Sequence, residues 1–114
     1  MRLLRIILIL LVVASACTND NEEDLFGEVT CRDDTSLADD VQPIIAANCA
    51  ISGCHVSGTQ LPNFSQKSTI INRAANIRNK TKDRTMPPPA SGITLSAEEI
   101  QLIDCWVAQG ANDN

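Results

Sequence analysis

Apolar residues recur at helical spacing in three stretches of the chain, and the first of them lies just before the middle of the sequence. Its apolar positions are Leu37, Val41, Ile44 and Ile45. They fall at i, i+4, i+7 and i+8, which predicts a helix over residues 37–48. Ser36 is expected to cap its N-terminus. Pro43 lacks an N–H and would clash with the preceding turn, so the helix must either kink or begin there.

The other two stretches predict a middle and a C-terminal helix. The middle helix is expected over about residues 65–79, with apolar positions at Ile70, Ile71, Ala74 and Ile77. The last begins at a capping box, Ser96 to Glu99, and Gly110 is a natural residue to follow its end. Its apolar positions are Ile100, Ile103, Trp106 and Val107. No stretch has the alternation of a strand, so the predicted fold class is all-α, with three main helices joined by long loops.

The N-terminus has the pattern of a secretory signal peptide over residues 1–16. Two arginines precede an unbroken apolar run, and small residues follow it. The next residue is Cys17, and small residues followed by Cys resemble a bacterial lipobox, in which that cysteine is lipidated. The alternative is ordinary cleavage that leaves Cys17 as a free thiol. Either way, the protein is expected to be exported, and lipidation would make it a membrane-anchored lipoprotein of the cell envelope facing the periplasm or the exterior.

Charge is distributed unevenly along the chain. Residues 17–34 are polar and acidic and are expected to form a flexible tether that holds a domain of residues 35–114 away from a membrane surface. The signal peptide carries two arginines and no acidic residue, so its removal takes the formal net charge from −5 to −7. Nucleic-acid binding is not expected of so acidic a chain. Residues 67–84, in contrast, contain six cations and one acid, which is either a solvated helix face or a surface that steers an acidic partner.

The stretch from Cys49 to His55 carries the candidate chemistry. It contains two of the five cysteines and the only histidine, in the order C-x4-C-H. A cysteine pair followed directly by His is the pattern of c-type haem attachment, usually with a two-residue spacer. The alternatives are a Cys49–Cys54 disulfide, a zinc site, which would need a further ligand pair, and a nucleophilic Cys–His pair, which would need an orienting third group.

Met86 is the candidate for the second axial ligand of a haem iron. It is the only Met outside the signal peptide, and three prolines follow it, which hold the segment extended. A Met ligand opposite His raises the reduction potential and suits electron transfer. The alternative is that Met86 fills a gap in the core.

The order of these parts resembles a small class I cytochrome c domain over roughly residues 35–112. Within that class it is similar to the lipoprotein-type domains of bacterial envelopes. The shared stretches are Val41-Gln42-Pro43-Ile44-Ile45, Asn48-Cys49, Gly53-Cys54-His55, Met86-Pro87-Pro88, Leu95-Ser96 and Trp106-Val107-Ala108-Gln109-Gly110-Ala111. The resemblance implies one covalently attached haem c, with Cys49 and Cys54 as thioether anchors, His55 as the proximal and Met86 as the distal iron ligand. It also implies that the first and last helices pack together. The four-residue spacer departs from the common pattern.

Two cysteines remain if Cys17 is lipidated and Cys49 and Cys54 hold haem. An even remainder in an oxidising compartment favours a Cys31–Cys105 disulfide, and the alternative is two buried free thiols. The chain has only three aromatic residues, so its core is thin, and small domains of this kind usually need a covalent or metal staple.

The expectation from the sequence is therefore an envelope electron carrier with redox proteins as partners, and not an enzyme. Arg73 or Arg78 is a candidate to pair with a haem propionate. One alternative is a haem-free lipoprotein stapled by disulfides that acts as a structural or binding module. Another is an accessory domain that works beside a dehydrogenase.

Overall fold

The computed structural model describes residues 30–114, and all regular structure within that range is helical, which confirms the all-α prediction. The predicted signal peptide, the lipidation site Cys17 and most of the tether lie outside the described residues. No helix within 30–114 is long and apolar enough to cross a membrane. In chain order the elements are a π-helical turn (Leu37–Val41), α1 (Gln42–Asn48), α2 (Lys67–Asn72), α3 (Ala74–Lys82), a 3-10 turn (Pro89–Ser91) and α4 (Ala97–Ala108).

The start of the first helix shows how the chain accommodates Pro43. The turn before it is π-helical, and Pro43 falls in the first turn of α1, where a missing N–H leaves no intrahelical bond unmade. The N–H of Val41 donates to the carbonyl of Ser36, five residues earlier, at 3.1 Å, which is the hydrogen bond of a π-helix. The Ser36 side chain accepts from the Asp39 N–H, so the predicted N-cap is confirmed.

The middle of the chain contains two helices where the sequence predicted one. The helical path breaks at Arg73, whose φ of −110° and ψ of 9° end α2 and begin α3. The prediction of one continuous helix over 65–79 was therefore wrong. Apolar spacing could not show the break, because Ile70 and Ile77 on either side of it are both buried in the same core.

The C-terminal helix agrees with its predicted signals. Ser96 and Glu99 form both bonds of the capping box, and α4 begins at the next residue, Ala97. At the other end, the Gly110 N–H donates to the Val107 carbonyl, and the Ala111 N–H donates to the Trp106 carbonyl. This is a Schellman motif with Gly110 at the left-handed position, where its φ is +104°.

One core joins all these elements. It consists of Leu37, Val41, Ile44, Ile45, Ile70, Ala74, Ile77, Leu95, Ile103 and Trp106. Helix α4 packs against α3 and against the π-helical turn, so the first and last helical segments are in contact. A disulfide between Cys31 and Cys105, predicted from the cysteine count, ties the start of the domain to α4 across 74 residues. In the chain-entropy model such a link stabilises the folded state by roughly 4 kcal/mol.

The ion pairs of Asp104 connect α4 to α3 and give the first testable expectation. Its carboxylate accepts from Arg78 Nε and, at 3.0 Å, from Lys82 Nζ. Burial alone would raise the pKa of Asp104, but the hydrogen bonds from Lys82 and Arg78 and their charges lower that pKa below its usual value. The stabilisation of the folded state by these ion pairs is therefore fully present above about pH 4, the ordinary pKa of Asp. It is lost as pH falls through the lower pKa that Asp104 has in the folded state.

Replacing Asp104 by Asn should lower the free energy of unfolding near neutral pH by about 1 kcal/mol. The difference from the wild type should shrink below pH 4, and thermal unfolding at several pH values measures it. Asp83→Asn is the matched control, because Asp83 is exposed on the end of α3 and makes no ion pair within residues 30–114. Equal losses in the two variants would contradict the role given to Asp104.

Candidate functional site

A cavity of about 460 Å³ opens on the side of the domain where the loop after α1, helix α3 and the loop before α4 meet. Its volume lies within the ~300–1,000 Å³ range of small-molecule and cofactor sites. The four residues that the sequence singles out for haem all line it: Cys49, Cys54, His55 and Met86. The structure therefore brings together two segments that lie about thirty residues apart in the sequence.

The four-residue spacer between the cysteines folds into a compact turn. The N–H of Cys54 donates to the Ile51 carbonyl at 3.0 Å, and Gly53 takes the third position of that turn with φ at +82°. The His55 N–H then donates to the Cys49 carbonyl at 3.1 Å, which closes the stretch into a ring. A spacer of unusual length thus places both thiols and the imidazole on one wall of the cavity.

The ring of His55 is fixed by two neighbours. Its Nδ1 lies 2.9 Å from the carbonyl oxygen of Pro62, and its face stacks on Phe64 with ring centroids 4.2 Å apart and planes 16° from parallel. A carbonyl oxygen can only accept, so Nδ1 donates to it, and Nε2 is the ring nitrogen left to bind a metal. Histidines that bind metals are held in this way, with the second nitrogen donating to a carbonyl or carboxylate.

The two cavity cysteines are not joined to each other, whereas Cys31 and Cys105 are. Burial raises the pKa of the Cys49 thiol to about 11, and the nearby charges of Cys54 and Glu99 act in the same direction. The thiol is therefore protonated at neutral pH. This is the opposite of what a nucleophilic cysteine needs, since the thiolate is the reactive form.

Two cations and no acid line the cavity. They are Arg73, at the break between α2 and α3, and Lys80 on α3, and both are exposed. Neither has a carboxylate within ion-pair distance among the described residues, whereas Arg78 and Lys82 are both paired with Asp104. Of the two arginines that the sequence offered as propionate partners, only Arg73 reaches the cavity.

Met86 enters the cavity from a loop that is tied to the end of α3. Its N–H donates to the Lys80 carbonyl at 3.1 Å, and so does the N–H of Thr85 at 3.0 Å. Met86 is 39% exposed and, with Leu61 at 46%, is one of two large apolar side chains exposed in the described part of the chain. Both line the cavity, so the exposed apolar surface is concentrated at its mouth.

Several residues of the site carried no signal that the sequence analysis used. Pro62 acts through its backbone carbonyl, which no side-chain pattern reveals. Phe64 is one of only three aromatic residues in the chain, and this scarcity could have marked it. Ile77 lines the cavity from the core side of α3, and its helical spacing identified it as core but not as part of a site.

These residues fit a haem better than a bare metal ion. A zinc site takes three or four protein ligands, and no three His, Cys, Asp or Glu side chains converge on one point among residues 30–114. A porphyrin supplies four nitrogens itself, so its iron needs only one or two protein ligands. The cavity offers one imidazole and one thioether for that purpose, two thiols for attachment, and cations at the edge for carboxylates.

Comparisons of the chain with family models, with curated proteins and with solved structures return no match. The argument for a function therefore depends on the residues and geometry of this site.

Gly53 gives a test of the turn that holds the two thiols and His55 together. An added Cβ would meet nothing within 4 Å, so Gly53→Ala should cost only the left-handed backbone, roughly 1–2 kcal/mol. It should also move the ring resonances of His55, which are unambiguous because the chain has one histidine. NMR of the ring nitrogens and protons measures this shift.

Gly110→Ala is the matched control, since Gly110 also has a positive φ and an added Cβ there would meet only ordinary contacts. It should lower stability by a similar amount and leave the His55 signals unchanged. If neither variant moves those signals, Gly53 does not set the geometry of the motif.

Proposed function

We propose that this chain is a monohaem c-type cytochrome that carries single electrons at the bacterial cell envelope, with a cytochrome c-like arrangement of its helices around the cofactor. The observation that carries the proposal is the shared cavity. Two thiols and one imidazole from the stretch Cys49–His55 and one thioether from the distant Met86 line the same apolar space beside two cations. A nucleophilic Cys–His pair would need a thiolate, but burial favours the protonated thiol at Cys49. A zinc site would need further ligands, and no group of three converges among residues 30–114. A Cys49–Cys54 disulfide is not formed here.

The chain's own residues have distinct roles in this proposal. Cys49 and Cys54 would hold the haem covalently, each thiol S–H adding across a vinyl C=C bond with sulfur on one carbon and hydrogen on the other, so attachment would need no oxidant. His55 would bind the iron through Nε2 while Pro62 holds Nδ1, and Met86 would bind it through its thioether. A haem bound there would supply a one-electron iron couple, whose potential a His–Met ligand pair raises.

Arg73 is the residue we assign to a propionate. It lines the cavity, it is exposed, and it has no ion-pair partner among residues 30–114. A guanidinium fork matches a carboxylate better than an ammonium does. The alternative candidate, Arg78, is already engaged by Asp104.

Lys80 is the residue we assign to the encounter with redox partners. It lines the cavity mouth beside the exposed Met86, and its carbonyl holds the backbone of that residue. A partner with acidic groups around its own redox centre would be drawn to this edge, because complementary charge speeds encounter. The partners are therefore proposed to be acidic redox proteins, and the membrane association to come from lipid on Cys17.

The haem-free lipoprotein stapled by disulfides is less well supported. It shares the Cys31–Cys105 bond, but it also requires a Cys49–Cys54 bond, which is not formed here, and it gives no use to the apolar cavity and its fixed imidazole. The role we propose is therefore electron transfer, with the redox chemistry supplied by the cofactor.

The proposal is tested by making the protein with c-type haem maturation machinery and then denaturing it. Haem should stay on the polypeptide because two thioethers hold it. Cys49→Ser and Cys54→Ser should each leave one thioether, and the double variant should lose covalent haem entirely. Absorption of the unfolded chain measures the attached haem.

The control pair is Cys31→Ser with Cys105→Ser, which removes the same number of cysteines, here the two of the disulfide, outside the cavity. That variant should be less stable but should still carry covalent haem. A wild-type chain that emerges colourless from competent machinery would falsify the cytochrome proposal.

The role of Lys80 is tested by the salt dependence of electron exchange with ferricyanide. The whole chain is acidic, so net charge alone would repel this anion, and added salt would then speed the reaction. An electropositive cavity mouth predicts the reverse, a rate that falls as salt rises. Stopped-flow kinetics over a range of ionic strength separates the two.

Lys80→Gln should flatten that fall, whereas Lys82→Gln should change it little. The two substitutions remove the same charge two residues apart on one helix, but Lys82 is paired with Asp104 at 3.0 Å. Identical salt slopes in the two variants would show that Lys80 has no special place in the encounter.

A further inference from the structure

The end of α3 contains a left-handed residue that is not glycine. Arg84 has φ at +52°, and Ala111 is the only other non-glycine residue with positive φ in the described part of the chain. Both lie in Schellman motifs. At α3 the Arg84 N–H donates to Thr81 and the Thr85 N–H to Lys80, which places Arg84 at the position where glycine is preferred.

The side chain of Arg84 connects two ends of the loop that carries Met86. Its Nη1 donates to the carbonyl of Leu95 at 3.4 Å. Leu95 is only 3% exposed and belongs to the core, so its carbonyl is a fixed point just before α4. The ten residues between Arg84 and Leu95 include Met86 and the three prolines, and none of them is buried in the core.

We propose that Arg84 is a positioning residue for Met86, retained in a strained backbone conformation because its side chain closes the Met86 loop onto Leu95. A strained residue persists where its surroundings require it, and here the requirement is the guanidinium bond. The Lys80 carbonyl holds the near end of the loop, and Arg84 holds the far end. This inference rests on the proposed function in so far as Met86 is to serve as an iron ligand.

Two substitutions separate the effect of the left-handed backbone at Arg84 from the effect of its bond to the Leu95 carbonyl, which we call the clasp. Arg84→Gly removes both, and Arg84→Leu keeps an apolar side chain and the left-handed backbone while removing the donor. The control is Ala111→Gly, which relieves a φ of +52° at the end of α4, away from the loop. Arg84→Leu should lower the unfolding temperature, because it removes the bond to Leu95 and keeps the left-handed backbone, and Arg84→Gly should lower it less, because it also relieves that backbone.

Amide hydrogen exchange tests the clasp without reference to haem. The N–H groups of Ser91 and Ile93 make bonds inside the loop, to Pro88 and to the Ser91 hydroxyl. In both Arg84 variants they should exchange roughly two- to tenfold faster, the range expected for losing one net hydrogen bond. In Ala111→Gly their exchange should be unchanged.

Imidazole binding to the ferric, haem-loaded protein tests the consequence for Met86. Both Arg84 variants should bind imidazole more tightly than the wild type and have a lower reduction potential, whereas Ala111→Gly should match the wild type. If Arg84→Gly behaves like Ala111→Gly in exchange and in imidazole binding, Arg84 is only a tolerated defect and the inference is wrong. Faster loop exchange without tighter imidazole binding would retain the clasp but overturn its role in positioning Met86, and a chain without covalent haem would instead count against the proposed function.

Discussion

The bond between His55 Nδ1 and the Pro62 carbonyl is the interaction on which the rest of the site depends. It selects one tautomer, fixes the ring plane and leaves Nε2 as the only basic nitrogen of the imidazole. It also closes the loop after α1, because Phe64 then stacks on the same ring and donates its N–H to the His55 carbonyl at 2.9 Å. Without that closure the cavity would lose one wall, together with the fixed imidazole of His55.

The thin core explains why the site is built on covalent and polar constraints. Among residues 30–114, Trp106 is the only aromatic residue fully buried in the core, and the remaining core side chains are aliphatic. The disulfide at Cys105 and the carboxylate of Asp104 tie α4 to the start of the domain and to α3, respectively. A large apolar cofactor in the cavity would add the interior that the side chains do not supply, since Ile77 and Phe64 already face it.

The sequence predicted the elements whose signals are local and left out those that depend on tertiary context. Ser96 with Glu99 and Gly110 defined α4 because caps are short-range patterns of side chain and backbone. The break at Arg73 was missed, since apolar spacing continues across it. The Cys31–Cys105 bond was reached by counting and not by geometry.

Within the site, the candidate ligand residues could be selected from the sequence because few residue types can bind iron, and the chain has one histidine and one internal methionine. Their supporting groups were not. The carbonyls of Pro62, Lys80 and Leu95 act through the backbone, which every residue possesses, so no residue type announces them. The distinction between Arg73 and Arg78 likewise needed the position of Asp104, a residue of another helix.

The electrostatics of the cavity are self-consistent for a flat apolar group that carries carboxylates. The groups inside include a protonated thiol at Cys49 and an uncharged thioether at Met86, and His55 has its Nδ1 held by the Pro62 carbonyl. No acid lines the cavity, and its two cations, Arg73 and Lys80, are exposed. A neutral ligand would leave both without a partner, whereas a divalent cation would be repelled by them and would find no charged oxygen. A propionate would pair with Arg73, and Lys80 would remain at the edge that a redox partner approaches.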